Sequence, residues 1–327
     1  MTAYIVRRLF YAIPILIGVN LLTFVLFFFV NTPDDMARAH LGIKRVSDEQ
    51  IARWKQERDY HLPYFYNKKE GISFYERFAE TIFWKKSVKF LLFQFGRSDD
   101  GRNIGDEIST RVGPSLAITV PSFVIGILVN ITAAMILAFF RATYLDFWGV
   151  VLAVIMMSIS VLFYVIGGQW MLGKVLRLVP VSGFDTGLYA VKFVALPVVI
   201  GVVGGIGTGV RLYRTFFLEE IGKDYIRTAR AKGLPESLVL FKHALKNALI
   251  PILTGVVVTI PFLIMGSLIL ESFFAIPGMG SFTLEAIQRQ DFAIVQAMVF
   301  LGSAVYVVGL LLTDISYTLV DPRIRFS

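Results

Sequence analysis

Long apolar runs alternate with polar segments along the chain, a pattern typical of membrane proteins that cross the bilayer several times. An α-helix needs about 20 apolar residues to cross the roughly 30 Å hydrocarbon core of a bilayer. Six runs approach or exceed that length, at residues 9–30, 114–140, 148–171, 191–210, 252–270 and 292–312. The pattern therefore predicts an all-α membrane protein with six transmembrane helices.

The charges that flank the runs predict the orientation of the chain. Arg7 and Arg8 precede the first run, and Arg323 and Arg325 stand near the end of the chain. Because Lys and Arg collect in short cytoplasmic loops, both termini are predicted to be cytoplasmic. A cleaved signal peptide is the alternative for residues 9–30. The apolar run is too long for one and no small-residue cleavage site follows it, so we interpret it as a retained helix.

Residues 31–113 form one long polar segment, which is predicted to lie on the periplasmic side. Its many Lys and Arg residues do not contradict this placement, because long loops translocate largely regardless of charge. A capping box at residues 47–50 predicts that a helix begins just before Ile51. Residues 74–93 are predicted to be further amphipathic helix. We expect a folded, largely helical subdomain rather than a disordered loop.

The composition agrees with a membrane protein and excludes several kinds of site. The chain is 56% hydrophobic and has a net charge of +8, whereas soluble domains are about 45–50% apolar. Lys and Arg in cytoplasmic loops explain the positive charge, so nucleic-acid binding is not indicated. The absence of cysteine excludes disulfides and thiolate metal ligands. His40, His61 and His243 lack metal-ligand spacing, and no phosphate-binding Gly-x4-Gly-Lys-Ser/Thr loop occurs.

Residues 222–251 form a basic segment between the fourth and fifth runs. The segment carries six Lys and Arg residues against Asp224 and Glu236. One such charge at the bilayer centre costs roughly 2.5–3.5 kcal/mol, so the segment is predicted to lie outside the hydrocarbon. Gly233 suits the left-handed residue that ends a helix, and Pro235 with Glu236 suits the first turn of the next. Two short helices meeting at Gly233 are therefore predicted.

The helical period assigns one face to each of these two helices. The spacing i, i+3, i+4, i+7 predicts that the first face contains Tyr225, Thr228, Ala229 and Lys232 and that the second contains Leu238, Phe241, Leu245 and Leu249. The hairpin would then present apolar and basic faces at a membrane surface, which implies a partner.

The hairpin also contains two blocks of residues in a distinctive order. They are Asp224-Tyr-Ile-Arg-Thr-Ala-Arg-Ala-Lys-Gly-Leu-Pro235 and Lys242-His-Ala-Leu-Lys-Asn-Ala-Leu-Ile-Pro251. Both resemble the cytoplasmic coupling loop of ABC-importer permeases, most closely the B-type subunits of the dipeptide/oligopeptide family. The general loop has Glu-Ala-Ala before its Gly, where this chain has Arg-Thr-Ala, as the peptide family does. The resemblance implies that the ATPase subunit is contacted by Asp224, Ala229, Ala231, Lys232, Gly233, Leu234 and Pro235.

A further block follows the fifth run and has the sequence Glu271-Ser-Phe-Phe-Ala-Ile-Pro-Gly-Met-Gly280. It resembles the same family's Glu-x-x-Phe-x-x-Pro-Gly-x-Gly signature on the outer side, with Asp291 downstream. The implied periplasmic signature residues are Glu271, Pro277, Gly278 and Gly280. The family's Pro-Gly-Asp after the first helix is absent, since Asn31-Thr-Pro-Asp34 stands there. The resemblance covers nearly the whole chain and is weakest over residues 31–95.

By this resemblance the chain is expected to be the transmembrane permease subunit of an ABC importer that moves peptides or related small solutes across the bacterial inner membrane by alternating access. The implied partners are a homologous second permease subunit in a heterodimer, two ATPase subunits, a periplasmic substrate-binding protein and the lipid membrane. ATP and Mg are expected on the ATPase subunits. No cofactor, metal or catalytic residue is expected on this chain. The expected domains are residues 1–30, a periplasmic subdomain at 31–113, and a permease core at 114–327 with its coupling loop.

A secondary transporter or channel and a non-transporting membrane scaffold are the alternative functions. Inverted repeats or charges inside the membrane would favour a secondary transporter, and the sequence shows neither. Glu271, Asp314 and Lys192 lie near predicted span ends, where snorkelling explains them. Hydrogen bonds between helices explain the deeper polar residues, which are Asn20, Asn130 and Gln169.

Two further patterns each leave two interpretations open. Gly201, Gly205 and Gly209 recur every four residues along the fourth span, which indicates either close helix packing or a hinge at the pore. An aromatic cluster after the capping box either rests at the headgroup level or contacts a binding protein. Its members are Tyr60, Tyr64, Phe65 and Tyr66.

Overall fold

The computed structural model describes residues 2–42, 46–69, 71 and 73–320. Within these ranges the chain is helical and contains no β-strand, which confirms the all-α prediction. The terminal Arg323 and Arg325 lie outside the described residues.

The α-helices are α1 (Thr2–Val25), α2 (Pro33–Leu41), α3 (Asp48–Glu57), α4 (Phe74–Ala79), α5 (Ile82–Lys86), α6 (Ile104–Phe139), α7 (Tyr144–Ser158), α8 (Val161–Gly168), α9 (Ala190–Ile221), α10 (Asp224–Ala231), α11 (Glu236–Leu238), α12 (Leu245–Thr259), α13 (Leu268–Phe273), α14 (Met279–Arg289) and α15 (Phe292–Val320). The π-helical turns are Leu26–Val30, Gln169–Val175 and Val239–Ala244, and the 3-10 turns are Val88–Leu92, Gly187–Tyr189 and Ile260–Met265.

These elements form two compact units, each with its own apolar core. The first contains the residues up to Arg111 together with Phe282–Leu311. The second contains Val112–Ser281 and the described residues from Leu312 onward. The functional division expected at residues 30 and 113 concerns sides of the membrane and stays a prediction.

The core of the first unit joins the end of the first span to the segment that follows it. Phe24 and Phe28 are buried against Met36 and Trp54. Capping boxes begin both α2 and α3, and at α3 the N–H of Gln50 donates to the Ser47 hydroxyl. The helix predicted before Ile51 is therefore confirmed.

Residues 74–93 are helical, as predicted, but in three pieces, which are α4, α5 and the 3-10 turn Val88–Leu92. The first break lies at Thr81, whose hydroxyl accepts a hydrogen bond from the N–H of Trp84 and caps α5. The N–H of Ile82 donates to the carbonyl of Pro63 at 3.0 Å. This long-range bond takes the place of an intrahelical one and redirects the chain.

The aromatic residues at 60–66 do not act as one cluster. Tyr60 is only 4% exposed and belongs to the core, so both interpretations of its role were wrong. The rings of Tyr64 and Phe65 lie 4.9 and 6.1 Å from the ring of Phe29, at the end of the first span. Phe65 and Tyr66 remain exposed.

Five helical stretches are long and apolar enough to cross a membrane: Phe10–Val30, Ile104–Phe139, Ala190–Ile221, Glu236–Phe273 and Phe292–Ser316. The third span predicted at residues 148–171 falls on a bent pair of helices, Tyr144–Ser158 and Val161–Val175, which meet at 88°. Ile159 at the bend is extended, and the Ser160 hydroxyl accepts the N–H of Leu162 to start α8. The bent pair makes a sixth span if it crosses the membrane as one broken helix.

The helices on both sides of the basic hairpin are longer than their apolar runs. α9 continues to Ile221, and helical structure runs without a break from Glu236 to Met265. The second arm of the hairpin is therefore the beginning of the fifth span, not a separate short helix as predicted. That span is interrupted at Gly266, which has a φ of 70°.

Glycines on α9 bring neighbouring helices close. A Cβ on Gly201 would lie 2.9 Å from a hydroxyl of α6, and one on Gly209 would lie 2.2 Å from the side chain of Asn130. Gly205 has no such neighbour within 4 Å. Close packing is thus confirmed at two of the three positions, and the hinge stays a hypothesis. Gly207, which the spacing did not single out, lies against a carbonyl of α7.

Candidate functional site

The basic hairpin turns at Gly233. This residue has a left-handed φ of 75°, as predicted, and its N–H donates to the carbonyl of Arg230 at 2.9 Å. Glycine adopts positive φ readily because it has no Cβ. Pro235 is extended and precedes α11 rather than lying in its first turn.

An ion pair joins the two arms across this turn. Nε and Nη2 of Arg230 donate to the two carboxylate oxygens of Glu236 at 2.9 and 2.5 Å. This hydrogen bonding raises the pKa of Arg230. A bidentate Arg–carboxylate pair fixes orientation as well as distance. The pair therefore holds the angle between α10 and α11.

The start of α10 is fastened to the end of α9. Tyr225 donates its hydroxyl to the carboxylate of Glu220, and Nζ of Lys223 lies 3.0 Å from the same group. Burial, together with the bond to Glu220, raises the pKa of Tyr225 to about 12. The phenol therefore stays protonated near neutral pH and remains a donor.

The inner face of the hairpin has an apolar core. Ile226 and Ala229 of α10 pack in one buried cluster with Val239, Leu240 and Ala244 of the second arm. Phe217 and Ile221 at the end of α9 belong to the same cluster. Ala229 lies inside the apolar core of this chain, and its expected contact with an ATPase subunit stays a prediction.

This inner face differs from the predicted one. Thr228 and Lys232 are exposed, and so are Leu238 and Phe241. In both arms the buried residues lie one or two positions away from these, beginning with Ile226 and Val239, so the chain covers a different side of each helix from the predicted one.

The outer surface of the turn presents an apolar patch beside basic residues. We define the hairpin tip as Ala231, Lys232, Gly233, Pro235, Leu238 and Phe241, all of which are exposed. Phe241 is 59% exposed, whereas phenylalanine is among the residues most often buried in folded proteins. Of the other expected coupling residues, Asp224 is exposed, Leu234 is half-buried and Ala229 is buried. The tip is suited to contact with another protein.

A second bidentate pair braces the helix that leads into the hairpin. Nε and Nη2 of Arg214 donate to the Asp146 carboxylate at 2.8 and 2.7 Å. The two residues are far apart in sequence, so no local pattern indicated the pair.

The outer signature builds a buried polar cluster around Glu271. This residue is fully buried, so snorkelling was the wrong explanation for it. Its Oε1 accepts the Ser115 hydroxyl at 2.8 Å and the N–H of Ser267 at 3.0 Å, and its Oε2 accepts the N–H of Ser281 at 3.0 Å. The Ser115 oxygen in turn accepts the N–H of Met279 at 2.7 Å. We call these five residues the Glu271 cluster.

The signature glycines make room for this cluster. A Cβ on Gly278 would lie 2.3 Å from Oε2 of Glu271, and one on Gly280 would lie 2.6 Å from the N atom of Leu268. Pro277 stands next to Gly278 in the loop between α13 and α14. Sequence reasoning missed Ser115 as a partner, because 156 residues separate it from Glu271.

The remaining polar candidates behave as structural groups. Asn20 donates to the carbonyl of Ser87, between α5 and the next 3-10 turn, at 2.8 Å. Gln169 donates to the carbonyl of Val181 in a loop and to that of Phe273, the last residue of α13. Lys192 is exposed beside the ring of Tyr189, as snorkelling predicts, and Asp314 is half-buried within α15. Within the described part of the chain, no group of His, Asp and Glu residues is arranged to hold a metal ion.

The family model described as "binding-protein-dependent transport system inner membrane component" matches residues 102–326. The chain belongs to this family. The permease is 27% identical to the dipeptide transport system permease protein DppB of Alkalihalophilus pseudofirmus. It is also 27% identical to the oligopeptide transport system permease protein AppB of Bacillus subtilis. Each comparison covers the whole of both chains. It is 31% identical to a putative peptide transport system permease protein of Brucella abortus, again over the whole of both chains.

Membership confirms the resemblance drawn from the sequence. The chain is a multi-pass membrane protein and the permease subunit of an ABC importer, and its family is a transport component rather than an enzyme. This assignment favours the permease over the secondary transporter, channel and scaffold that the sequence had left as alternatives.

Proposed function

We propose that this permease imports peptides or related small solutes across the bacterial inner membrane as one half of a heterodimer with a homologous permease. The names of its full-length relatives, which are dipeptide and oligopeptide permeases, support this solute class. A periplasmic substrate-binding protein delivers the solute. Two ATPase subunits, which carry ATP and Mg, drive its passage by alternating access.

The observation that carries the proposal is the hairpin tip on its rigid support. The tip is exposed, while the buried cluster and the Arg230–Glu236 pair keep the two arms together. α9 enters the hairpin directly, and α11 leaves it as the start of the fifth span. A rigid-body shift of a docked element is transmitted to the helices attached to it. Closure of the ATPases would therefore tilt these two spans between inward-open and outward-open states.

The proposed topology has six spans, with the bent pair α7–α8 as one broken span. Both termini and the hairpin at 222–251 lie in the cytoplasm, and the segment at 31–113 lies in the periplasm. The basic residues at Arg7 and in the hairpin support this orientation, since Lys and Arg mark the cytoplasmic ends of spans. The charges at Lys85 and Lys86 do not oppose it, because long segments translocate regardless of charge.

Single cysteines in this cysteine-free chain test the topology. Ser47, Ser182 and Ser237 are all exposed. In intact spheroplasts, an impermeant maleimide should label Ser47→Cys and Ser182→Cys, whereas Ser237→Cys should be labelled only after the membrane is opened. Labelling of Ser237→Cys but not of Ser47→Cys would reverse the orientation. Labelling of Ser47→Cys without Ser182→Cys would make the bent pair re-entrant, leaving five spans.

Gly233→Val tests the coupling role of the hairpin. A β-branched residue at φ 75° is strained by roughly 1–2 kcal/mol, and this strain should change the angle between the arms. No atom lies within 4 Å of the Cβ position, so the effect is on the backbone rather than on packing. We expect normal insertion, reduced recovery of the ATPase subunits on purification, and reduced solute uptake.

The matched control is Gly222→Val in the same hairpin. Gly222 has an ordinary helical φ of −74°, and the nearest atom to its Cβ position is 3.4 Å away. This variant should recover the ATPases like the wild type. Wild-type uptake and ATPase recovery in Gly233→Val would remove the coupling assignment.

A further inference from the structure

Residues 82–95 belong to the segment proposed to be periplasmic, yet they pack along the first span. The ring of Phe83 lies 5.1 Å from that of Phe24. Four residues later, the Ser87 carbonyl accepts a hydrogen bond from the Asn20 side chain at 2.8 Å, and Asn20 is buried. As the segment proceeds it therefore contacts positions farther from the end of the span.

The segment then returns beside α15. The rings of Phe90 and Phe95 lie 5.8 and 6.5 Å from the ring of Phe300. Shortly afterwards the N–H of Asp99 donates at 2.9 Å to Asp291, the residue before α15 begins. The chain therefore goes down beside one span and comes back beside another.

The positions of these contacts along the spans give the depth. Asn20 is ten residues before Val30, where the first span ends, and Phe300 is eight residues after Phe292, where α15 begins. At 1.5 Å per residue these are depths of about 15 and 12 Å, close to half of the roughly 30 Å hydrocarbon core. The helix begins at Thr2, but its apolar stretch, Phe10–Val30, has 21 residues, about the number that crosses the hydrocarbon, so Val30 lies near the bilayer surface.

The deepest part of the segment is not suited to lipid. It consists of the 3-10 turn Val88–Leu92 and a reversal at Phe93, which has a φ of 56°. Lys89 and Leu92 are exposed, and with three residues per 3-10 turn they share a face. No carboxylate among the described residues forms an ion pair with Lys89. At this depth, irregular backbone and a lysine are tolerated inside protein or beside water, but not against hydrocarbon.

We propose that residues 87–95 form a re-entrant segment that lines a water-filled cavity in the membrane, where Lys89 attracts anionic groups of the solute such as a peptide carboxylate. That the cavity belongs to the solute path rests on the proposed import function. The depth of residues 87–95 and the exposure of the Lys89 charge are inferred from contacts within the first unit alone and do not depend on that function.

Thiol reactivity in lipid nanodiscs tests the cavity, because both membrane faces are then open to reagent. The full chain is purified with the subunits it carries, and the sensor is Leu92→Cys, whose native side chain is 70% exposed. The matched control is Leu22→Cys, at a similar depth on the first span and 61% exposed. A thiol in hydrocarbon forms little thiolate, so charged methanethiosulfonates should modify Leu92→Cys at least about tenfold faster than Leu22→Cys. Equally slow reaction at both positions would overturn the proposal, because lipid or a partner subunit would then cover the segment.

The charge of Lys89 is tested in the Leu92→Cys background with an anionic and a cationic reagent. With Lys89 in place, the anionic reagent should react faster than the cationic one. Lys89→Gln should lower the ratio of the anionic to the cationic rate several-fold, and Lys89→Arg should retain that ratio. A ratio unchanged by Lys89→Gln would overturn the role of Lys89. Uptake of trialanine by the wild-type complex is measured separately, so failure of the import function is distinguishable from failure of the cavity.

Discussion

Replacing Glu271 with leucine should destabilise the folded permease by about 3 kcal/mol or more. Leucine has a similar size but removes the acceptor of the Ser115 hydroxyl and of the Ser267 and Ser281 N–H groups. Each buried donor left without a partner costs about 1–3 kcal/mol. Glu271→Gln keeps one acceptor oxygen but turns an amide N–H toward one of these donors, so its loss should be smaller. The measurement is thermal unfolding of the purified protein, with Tm falling in the order wild type, Gln, Leu.

The matched control for this change is Glu219→Leu. The Glu219 side chain is 67% exposed and lies 3.7 Å from Lys223, so losing its charge should change stability by no more than about 0.5 kcal/mol. If Glu271→Leu unfolds at the temperature of Glu219→Leu, the cluster is not what holds the α13–α14 loop to α6. The outer signature would then need an explanation other than stability.

Features with a local cause could be predicted from the sequence. The capping box at Ser47 and the left-handed turn at Gly233 follow from the residue and its immediate neighbours, and both are observed. The apolar runs also located the five helical stretches that are long enough to cross a membrane, because span length is set by the bilayer rather than by tertiary contacts. The hairpin could be recognised because its characteristic residues follow one another in the sequence.

Features with a long-range cause could not be predicted. Glu271 was expected to snorkel because its partner Ser115 is 156 residues away, and the Asp146–Arg214 pair is similarly distant. The bend at Ile159 has no proline or glycine at its centre to announce it. The helical period gave a face for each arm of the hairpin but not the side that the rest of the chain covers, which contains Ile226 and Leu240 rather than Thr228 and Leu238.

Tryptophan substitutions at two alanines of α10 should separate folding of the hairpin from docking. Ala229 is 5% exposed inside the buried cluster, whereas Ala231, two residues later, is exposed on the hairpin tip. Overfilling a packed core typically costs 1–3 kcal/mol and moves the backbone. Ala229→Trp should therefore lower the Tm and also lose the ATPase subunits, because the arms are forced apart.

Ala231→Trp should keep the wild-type Tm, since this position is exposed, and should still lose ATPase recovery and uptake because it enlarges the tip. The measurements are Tm, recovery of the ATPases on purification, and solute uptake into cells for each variant. Wild-type recovery and uptake in Ala231→Trp would place the docking surface away from the tip. If Ala229→Trp instead kept its Tm and lost only the ATPases, Ala229 would lie at the partner's groove, and the buried cluster would not be what sets the hairpin angle.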